Sequence, residues 1–458
     1  MSSTAIVWFR RDLRLHDHPP LRAALAEHDR VVPVFVLDRR LLEGRFPSPA
    51  RASFLHGSLK ELGAALRKRG AALIVREGEP AAELLRLAKE TNAAAAYWAA
   101  DVSPFATNRD ARVREELGAE GVEVHETEGN FAIDLTELQP YKVFSPYHRA
   151  WLKAGRRDVQ PAPRKIAIPT NVRRGRLPAF AGAKLSDPVV QPGEGAARKA
   201  LTAWLRGGLK DYANTHDDLA AGSSGLSPYL HFGCISAREV EAKVAQRRGK
   251  GPEEFRRQLA WRDFYGQLLL HHPEAARREL QERYRKLEWD SDEELLDAWR
   301  DGRTGYPLVD AGMRQLRASG FMHNRARLVV GSFLTKDLHL DWRAGERHFM
   351  RHLLDGDEAN NNGNWQWIAS VGADPAPYFR RLLNPTAQQK RHDPRGDYVR
   401  RWVPELAKVP DEHLAEPWKM SDDEQRAAGC VIGRDYPAPV VDHGEERRRA
   451  IARYRSVA

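Results

Sequence analysis

An α/β domain built on a parallel sheet, followed by an all-α domain, is the architecture the sequence predicts. Three observations carry it. Over residues 1–130, short apolar runs rich in β-branched residues alternate with helical patterns, the spacing of βα units with helices on both faces of a sheet. From about residue 196 the periodicity turns helical and no strand-like alternation recurs. At 458 residues there is chain enough for two or three domains with a substantial core.

Strands are expected over residues 5–9, 31–37, 72–75, 95–99 and 122–124. Between them, residues 50–69 repeat Phe54, Leu55, Leu59, Leu62 and Leu66 at helical spacing, and 80–90 open on Pro80 at a first helical turn. No G-x-G-x-x-G follows the first strand. Arg10-Arg11-Asp12-Leu13-Arg14 stands there instead, so the usual dinucleotide cradle is missing and a ligand is expected at the carboxyl ends of the strands. Residues 131–195, with many Pro, Gly and Arg, read as an interdomain connection partly ordered by Tyr141, Phe144, Tyr147 and Trp151. The domain over 196–458 should hold helices at 197–205, 237–246, 253–270, 293–299, 309–319 and 326–334. Ser236 and Glu239 read as a capping box before the second of these.

Composition narrows the function classes. Cys234 and Cys430 are the only cysteines, which rules out a disulfide scaffold or a cysteine zinc site and fits a reducing cytoplasm. No charged head precedes an apolar stretch at the start, so no secretory signal is expected. No apolar run is long enough to span a bilayer. The net charge of +10 favours a polyanionic partner, nucleic acid first and a membrane surface second.

One stretch organises the rest. From Asp355 to Trp367 the chain reads Asp-Gly-Asp-Glu-Ala-Asn-Asn-Asn-Gly-Asn-Trp-Gln-Trp. Asn competes with the helix for backbone partners and is costly to bury unpaired, so this density points to a flat, hydrogen-bonding ligand rather than to packing. A calcium loop would need Gly at the sixth position and Glu at the twelfth; Asn360 and Gln366 stand there. A solvated turn is the bland alternative. The hydroxyl-rich Ser223-Ser-Gly-Leu-Ser227 precedes an apolar segment and could hold phosphate oxygens or simply cap a helix. His348 and His352 share a helical spacing but lack the Glu of H-E-x-x-H, so no metal is expected. Trp261 and Trp367 sit among polar neighbours, unlike most of the twelve tryptophans.

Taken in order, these segments closely resemble the photolyase/cryptochrome family over nearly the whole chain. The matching runs are Val7-Trp-Phe-Arg-Arg-Asp-Leu-Arg-Leu-His-Asp17, Leu226-Ser-Pro-Tyr-Leu-His-Phe-Gly233, Trp261-Arg-Asp-Phe-Tyr265, Thr304-Gly-Tyr-Pro-Leu-Val-Asp-Ala-Gly-Met-Arg314, Met322-His-Asn-Arg325, Asp341-Trp-Arg-Ala-Gly-Glu346 and the stretch through Trp367. The resemblance, nearest to bacterial class I enzymes, implies a Rossmann-like amino-terminal antenna domain and a helical domain holding FAD. Carried over by position, Tyr212 and the loop Ser223, Ser224, Gly225, Leu226 and Ser227 would hold the ribityl-phosphate side. Arg262, Asn324, Arg327, Asp355 and Asp357 would surround the flavin with Phe255 nearby, and Asn361 would face flavin N5. Trp261, Trp367, Asn324, Leu328 and Gln258 would line the slot for a flipped pyrimidine lesion, Gln258 touching the flavin as well. Arg325, helped by Lys390 and Arg391, would grip backbone phosphates, which gives affinity but no sequence choice.

The implied activity is light-driven repair of cyclobutane pyrimidine dimers, a carbon–carbon lyase reaction on UV-damaged DNA by a cytoplasmic monomer, with reduced FAD as electron donor. Three departures bear on this. Gln258 stands where dimer enzymes usually have Glu, and an amide cannot supply a proton or a charge. Leu328 replaces a common Met, and Gly225 a common Arg. Gln258 motivates (6-4) repair as the alternative, against which Asn324 stands where those enzymes place His. A cryptochrome-like photoreceptor is the rival from another class. Trp365, Trp342 and Trp289 match the family's three-indole chain from flavin to surface. For a second, antenna chromophore, Arg109 beside Asn108 replaces an acid common in folate-binding members, which favours a deazaflavin or flavin.

Overall fold

The computed structural model describes residues 3–179, 182, 185–374 and 377–457. Five parallel strands, β1 (Thr4–Phe9), β2 (Arg30–Leu37), β3 (Ile74–Glu77), β4 (Ala95–Ala99) and β5 (Glu123–Thr127), form one sheet in the order β3-β2-β1-β4-β5. β1 is central and buried throughout. Its side chains alternate between faces, as strand geometry demands. Ala5, Val7 and Phe9 face the core shared with the helical half, whereas Ile6 and Trp8 face the outer layer. Helices Pro19–Glu27 and Pro49–Arg67 cover the first face, and Pro80–Thr91 and Pro104–Ala119 the second.

Each strand lies within a few residues of its expected place. β3 and β5 are shifted toward the carboxyl end because pairing, not hydrophobicity, sets their limits. Val34 to Leu37 of β2 pair with Ile74 to Glu77, so the polar Arg76 and Glu77 join the ladder through their backbones. Helix Pro104–Ala119 was not legible in the sequence, since it is charged on most sides and buries little beyond Ala106, Val113 and Leu117.

The connection is more ordered than its composition suggests. Residues Phe144–Lys153 form a helix whose Phe144, Tyr147 and Trp151 are buried against the long helix Lys250–His271. There the Trp151 indole N–H donates to Asp263 at 2.9 Å. Burial pushes the Asp263 carboxyl up to about 6, opposed by nearby Arg262 and these hydrogen bonds. Farther on, the backbone carbonyls of Ala167 and Arg174 accept from Val31 and Val75 at 2.8 Å, so the chain runs tightly along the sheet.

The remainder is helical, around a second core centred on Trp299, Phe333 and Trp342. All six expected helices are present, each moved by a few residues at most. Two details differ from expectation. The capping box at Ser236 is half made: its hydroxyl accepts from the Glu239 N–H at 3.2 Å, but the Glu239 carboxylate turns to His16 and Lys243. Helix Asn324–Ser332 also ends in a wider π-type turn, Phe333–Asp337. That turn buries Lys336, whose ammonium donates to the Ile368 and Arg381 carbonyls and to Ser370.

The loop after β1 is pressed against the helical half at Gly233. Its φ is +61°, and a Cβ there would lie 2.1 Å from the Arg11 carbonyl oxygen. Backbone cannot yield as a flexible side chain can. Gly233→Ala should therefore destabilise the protein by about 3 kcal/mol, read as a lowered thermal midpoint.

Candidate functional site

The Asp355–Trp367 stretch is a helix, Glu358–Ile368, and its amides explain how it can be one. Asp357 caps the amino end, accepting from the Asn360 backbone at 2.9 Å and from its side chain at 2.7 Å. Asn361 donates to the Glu346 carbonyl at 3.1 Å, Asn362 to the Glu346 carboxyl at 3.3 Å, and Asn364 to the Asn360 carbonyl at 2.8 Å. Gln366 ties the Ala275 and Arg278 carbonyls. Each amide thus has a protein partner, while Asn360, Asn361 and Asn364 also line the cavities beside the helix. Gly363 lets the helix close on Tyr265, whose ring would meet a Cβ at 2.1 Å.

Beside this helix lies a cavity of about 460 Å³. One wall is the loop Ser223, Ser224, Gly225, Leu226 and Ser227 with Tyr212; a second is Phe255, Gln258, Trp261 and Arg262 on the long helix. Asn324, Arg325, Arg327 and Leu328 form a third, and Asp355, Asp357, Asn360 and Trp367 close it. An inner recess of about 80 Å³ shares Asn324, Arg327, Leu328 and Asp355 with it and is lined further in by Asn361 and Trp365. The cavity and its recess together gather every expected cofactor and lesion residue except Lys390 and Arg391. Lys390 and Arg391 stand outside, on helix Pro385–His392, where Lys390 is exposed and paired to Glu416 at 2.7 Å. Trp342, fully buried, donates to Glu279 at 3.2 Å, and Trp289 is half-buried. Neither lines the cavity. Trp365 meets Trp299 edge-on, 6.1 Å between ring centres, a neighbour that sequence reasoning did not single out.

The floor is strongly charged. Asp355 accepts from Arg327 at 2.8 Å and from the Ser227 hydroxyl at 2.6 Å, while its other oxygen is buried without a protein partner. Burial raises the Asp357 carboxyl, but Arg11 and Arg262 outweigh it and hold the group far below the usual carboxylate range. Arg11, from the loop after β1, forms a short ion pair with Asp357 and lies 3.6 Å from Asp101. Its place beside the site is not legible in the sequence, where Arg10-Arg11 stand in the position of a glycine cradle and Asp357 lies far along the chain. Trp261 stacks on Phe144, 3.6 Å between centres, and Trp367 carries the Arg381 guanidinium 4.0 Å from its ring centre.

A second cavity, of about 690 Å³, opens at the carboxyl ends of β1, β2 and β4, where the sequence placed a ligand. Trp8, Phe105 and several arginines line it, among them Arg109, stacked 4.8 Å from the Trp8 ring centre and paired with Asp110 at 2.8 Å. The His348 and His352 rings lie 4.5 Å apart, tilted, beside Trp299, and burial pushes His348 down to about 3. Among the described residues no helix is long and apolar enough to cross a membrane.

Comparison with known proteins decides the family. Residues 5–166 match the model described as DNA photolyase, and residues 255–456 the FAD binding domain of DNA photolyase. The chain belongs to the DNA photolyase family. A deoxyribodipyrimidine photo-lyase from Streptomyces griseus is 47% identical over 460 residues, covering 98% of each chain. A photolyase structure from Sulfolobus tokodaii, with two FAD molecules, has 34% identity and a TM-score of 0.87, covering 99% of this chain and 100% of that one. A cryptochrome structure from Synechocystis has 31% identity and a TM-score of 0.93, covering 98% and 99%. Membership in the photolyase family brings an FAD-binding domain, lyase activity and DNA repair, and the two-domain fold agrees.

Behind the recess, Glu346 offers a test of the site's electrostatics. Burial pushes its carboxyl up to about 7, opposed by Arg45 and the Asn362 amide. The folded value exceeds the 4.5 of the free group, so the stability of the neutral form is complete below about 4.5 and is lost as pH rises through 7. Glu346→Gln, neutral at every pH, should flatten the fall in thermal midpoint between about pH 5 and 8 by an amount worth about 1–3 kcal/mol. Asp263 and Asp337, both pushed up to about 6 by burial, add slope of the same sign.

Proposed function

We propose that this photolyase repairs cyclobutane pyrimidine dimers by light-driven electron transfer from reduced FAD to a flipped-out lesion. The observation that carries the reading is the arrangement of Trp261, Trp367, Gln258, Asn324 and Leu328 around one cavity, with aromatic faces for stacked pyrimidines and amides for their carbonyls. The cavity also fits a flavin dinucleotide. Its hydroxyl loop suits the ribityl-phosphate side, and the unpartnered Asp355 oxygen and Trp367 indole N–H are polar atoms that a ligand would satisfy. When bound and reduced, FAD supplies the light-driven electron that opens the cyclobutane ring. The chain's residues hold it: Asn361 and Trp365 line the recess, while Arg327, Asp355 and Asp357 fix charge beside it.

Gln258 supports (6-4) repair as a second reading, and the similarity to a cryptochrome keeps signalling as a third. Illuminating the reduced protein with oligonucleotides carrying each lesion separates them. Restoration of the cyclobutane dimer is expected; restoration of the (6-4) site alone, or of neither, would reverse the assignment.

The sheet cavity is proposed as the antenna site. Arg109, held by Asp110 against Trp8, puts a cation where a folate would meet an acid, which favours a deazaflavin or a second flavin. The two FAD molecules of the Sulfolobus tokodaii photolyase agree with that preference.

Trp365, Trp342 and Trp289 are proposed to pass an electron inward from the surface. The Glu279 carboxylate on the Trp342 N–H favours a positive charge on that indole. Trp289→Phe should slow light-driven reduction of bound flavin by an external thiol, while chemically reduced protein still repairs dimers. Unchanged photoreduction would take Trp289 off the path and turn attention to Trp299.

A further inference from the structure

Three arginines line the polar cavity, and each already faces an acid. Arg327 meets Asp355, Arg262 meets Asp263, and Arg325 meets Asp217. In the first two pairs the acid is almost wholly shielded, with 6% and 1% of the side chain exposed; Asp217, at 30%, looks into solvent. Its grip on Arg325 is side-on. One carboxylate oxygen accepts from Nε at 3.2 Å and the other from Nη2, while Nη1 rests 3.4 Å from the Gln388 amide oxygen. A guanidinium can offer an oxyanion two forked edges. Here the side edge is taken and the end edge is drawn partly toward Gln388.

We propose that Asp217 weakens the hold of this site on DNA, occupying in the free protein the guanidinium that a backbone phosphate would otherwise engage. The proposal rests on the reading of Arg325 as a phosphate contact. A phosphate that reaches Arg325 also comes close to the Asp217 carboxylate, and like charges so placed repel. The surroundings do little to cancel that charge. Burial holds His323 down to about 4 and lowers His392 as well, Arg327 is engaged by Asp355, and His216 is 3.7 Å away. An undamaged duplex meets the repulsion with nothing to offset it. A duplex that seats a flipped lesion between Trp261 and Trp367 gains base stacking. The ion pair therefore lowers the affinity for both duplexes by a similar factor, and lesion stacking decides which of them still binds.

The flavin-loaded protein, titrated with undamaged and dimer-bearing duplexes from about 50 to 200 mM salt, tests this. Asp217→Asn should bind undamaged duplex roughly 3- to 10-fold more tightly and the dimer-bearing duplex by a similar factor. It should also steepen the dependence of log affinity on log salt by about one. Asp217→Glu, which keeps the charge, should behave as the parent. In an Arg325→Ala background, Asp217→Asn should have no effect. Equal tightening in both backgrounds would reveal a general field effect and overturn the proposal. Weaker binding of the dimer-bearing duplex would make Asp217 an orienting group for Arg325 and overturn it too. Retained flavin absorbance checks the fold, and Asp217→Ser replaces the asparagine variant if that one loses flavin. A parent protein with no preference for the dimer-bearing duplex would refute the functional reading, while the undamaged-duplex arm still decides the role of Asp217.

Discussion

The ion pair between Arg11 and Asp357 is the constraint on which the rest of the site depends. It joins the loop after the central strand to the first turn of the asparagine-rich helix. Asp357 is largely withdrawn from water, and such a carboxylate would cost several kcal/mol to desolvate without its partner. Asp357 also caps the helix, accepting from Asn360, so the same carboxylate sets where that helix begins. Once the start is set, helical geometry turns Asn361 and Trp365, four residues apart, toward the same recess. A charge on the sheet domain thus fixes the rotation of a helix in the other half.

That coupling explains why the two halves meet through polar as well as apolar contacts. Arg14 donates to the Gly233 carbonyl, and Arg51 reaches the Met350 and Leu353 carbonyls just before the charged stretch. Each arginine takes backbone oxygens that the ends of short helices leave open. The sheet side of the shared core, Ala5, Val7 and Phe9, continues into Tyr229, Phe232 and Phe264. The helical half is therefore built directly on one face of the sheet.

Much of this was legible in the sequence because it depends on local pattern. Alternating apolar runs located the strands, and three-and-four spacing located the helices. The long motifs named the family and so gathered the cavity residues. What stayed hidden depends on partners far away in the chain. The Asn362 amide looks like a ligand group until Glu346, on another helix, accounts for it, whereas Asn361 both donates to the Glu346 carbonyl and lines the recess. Glu239 completes a capping pattern on paper but finds stronger charge partners in His16 and Lys243. Phe144, Tyr147 and Trp151 recur at helical spacing, but only the fold brings the Trp151 indole to Asp263 on another helix. Asp217 sits in a His-Asp-Asp run like any surface turn, and only the fold brings it to Arg325.

The imidazole of His231 lines both large cavities, the polar one and that at the sheet edge. Burial, with Arg11 close by, holds it well below the usual histidine range, so the common wall is a neutral ring. A substitution at His231 therefore alters the wall of both compartments at once.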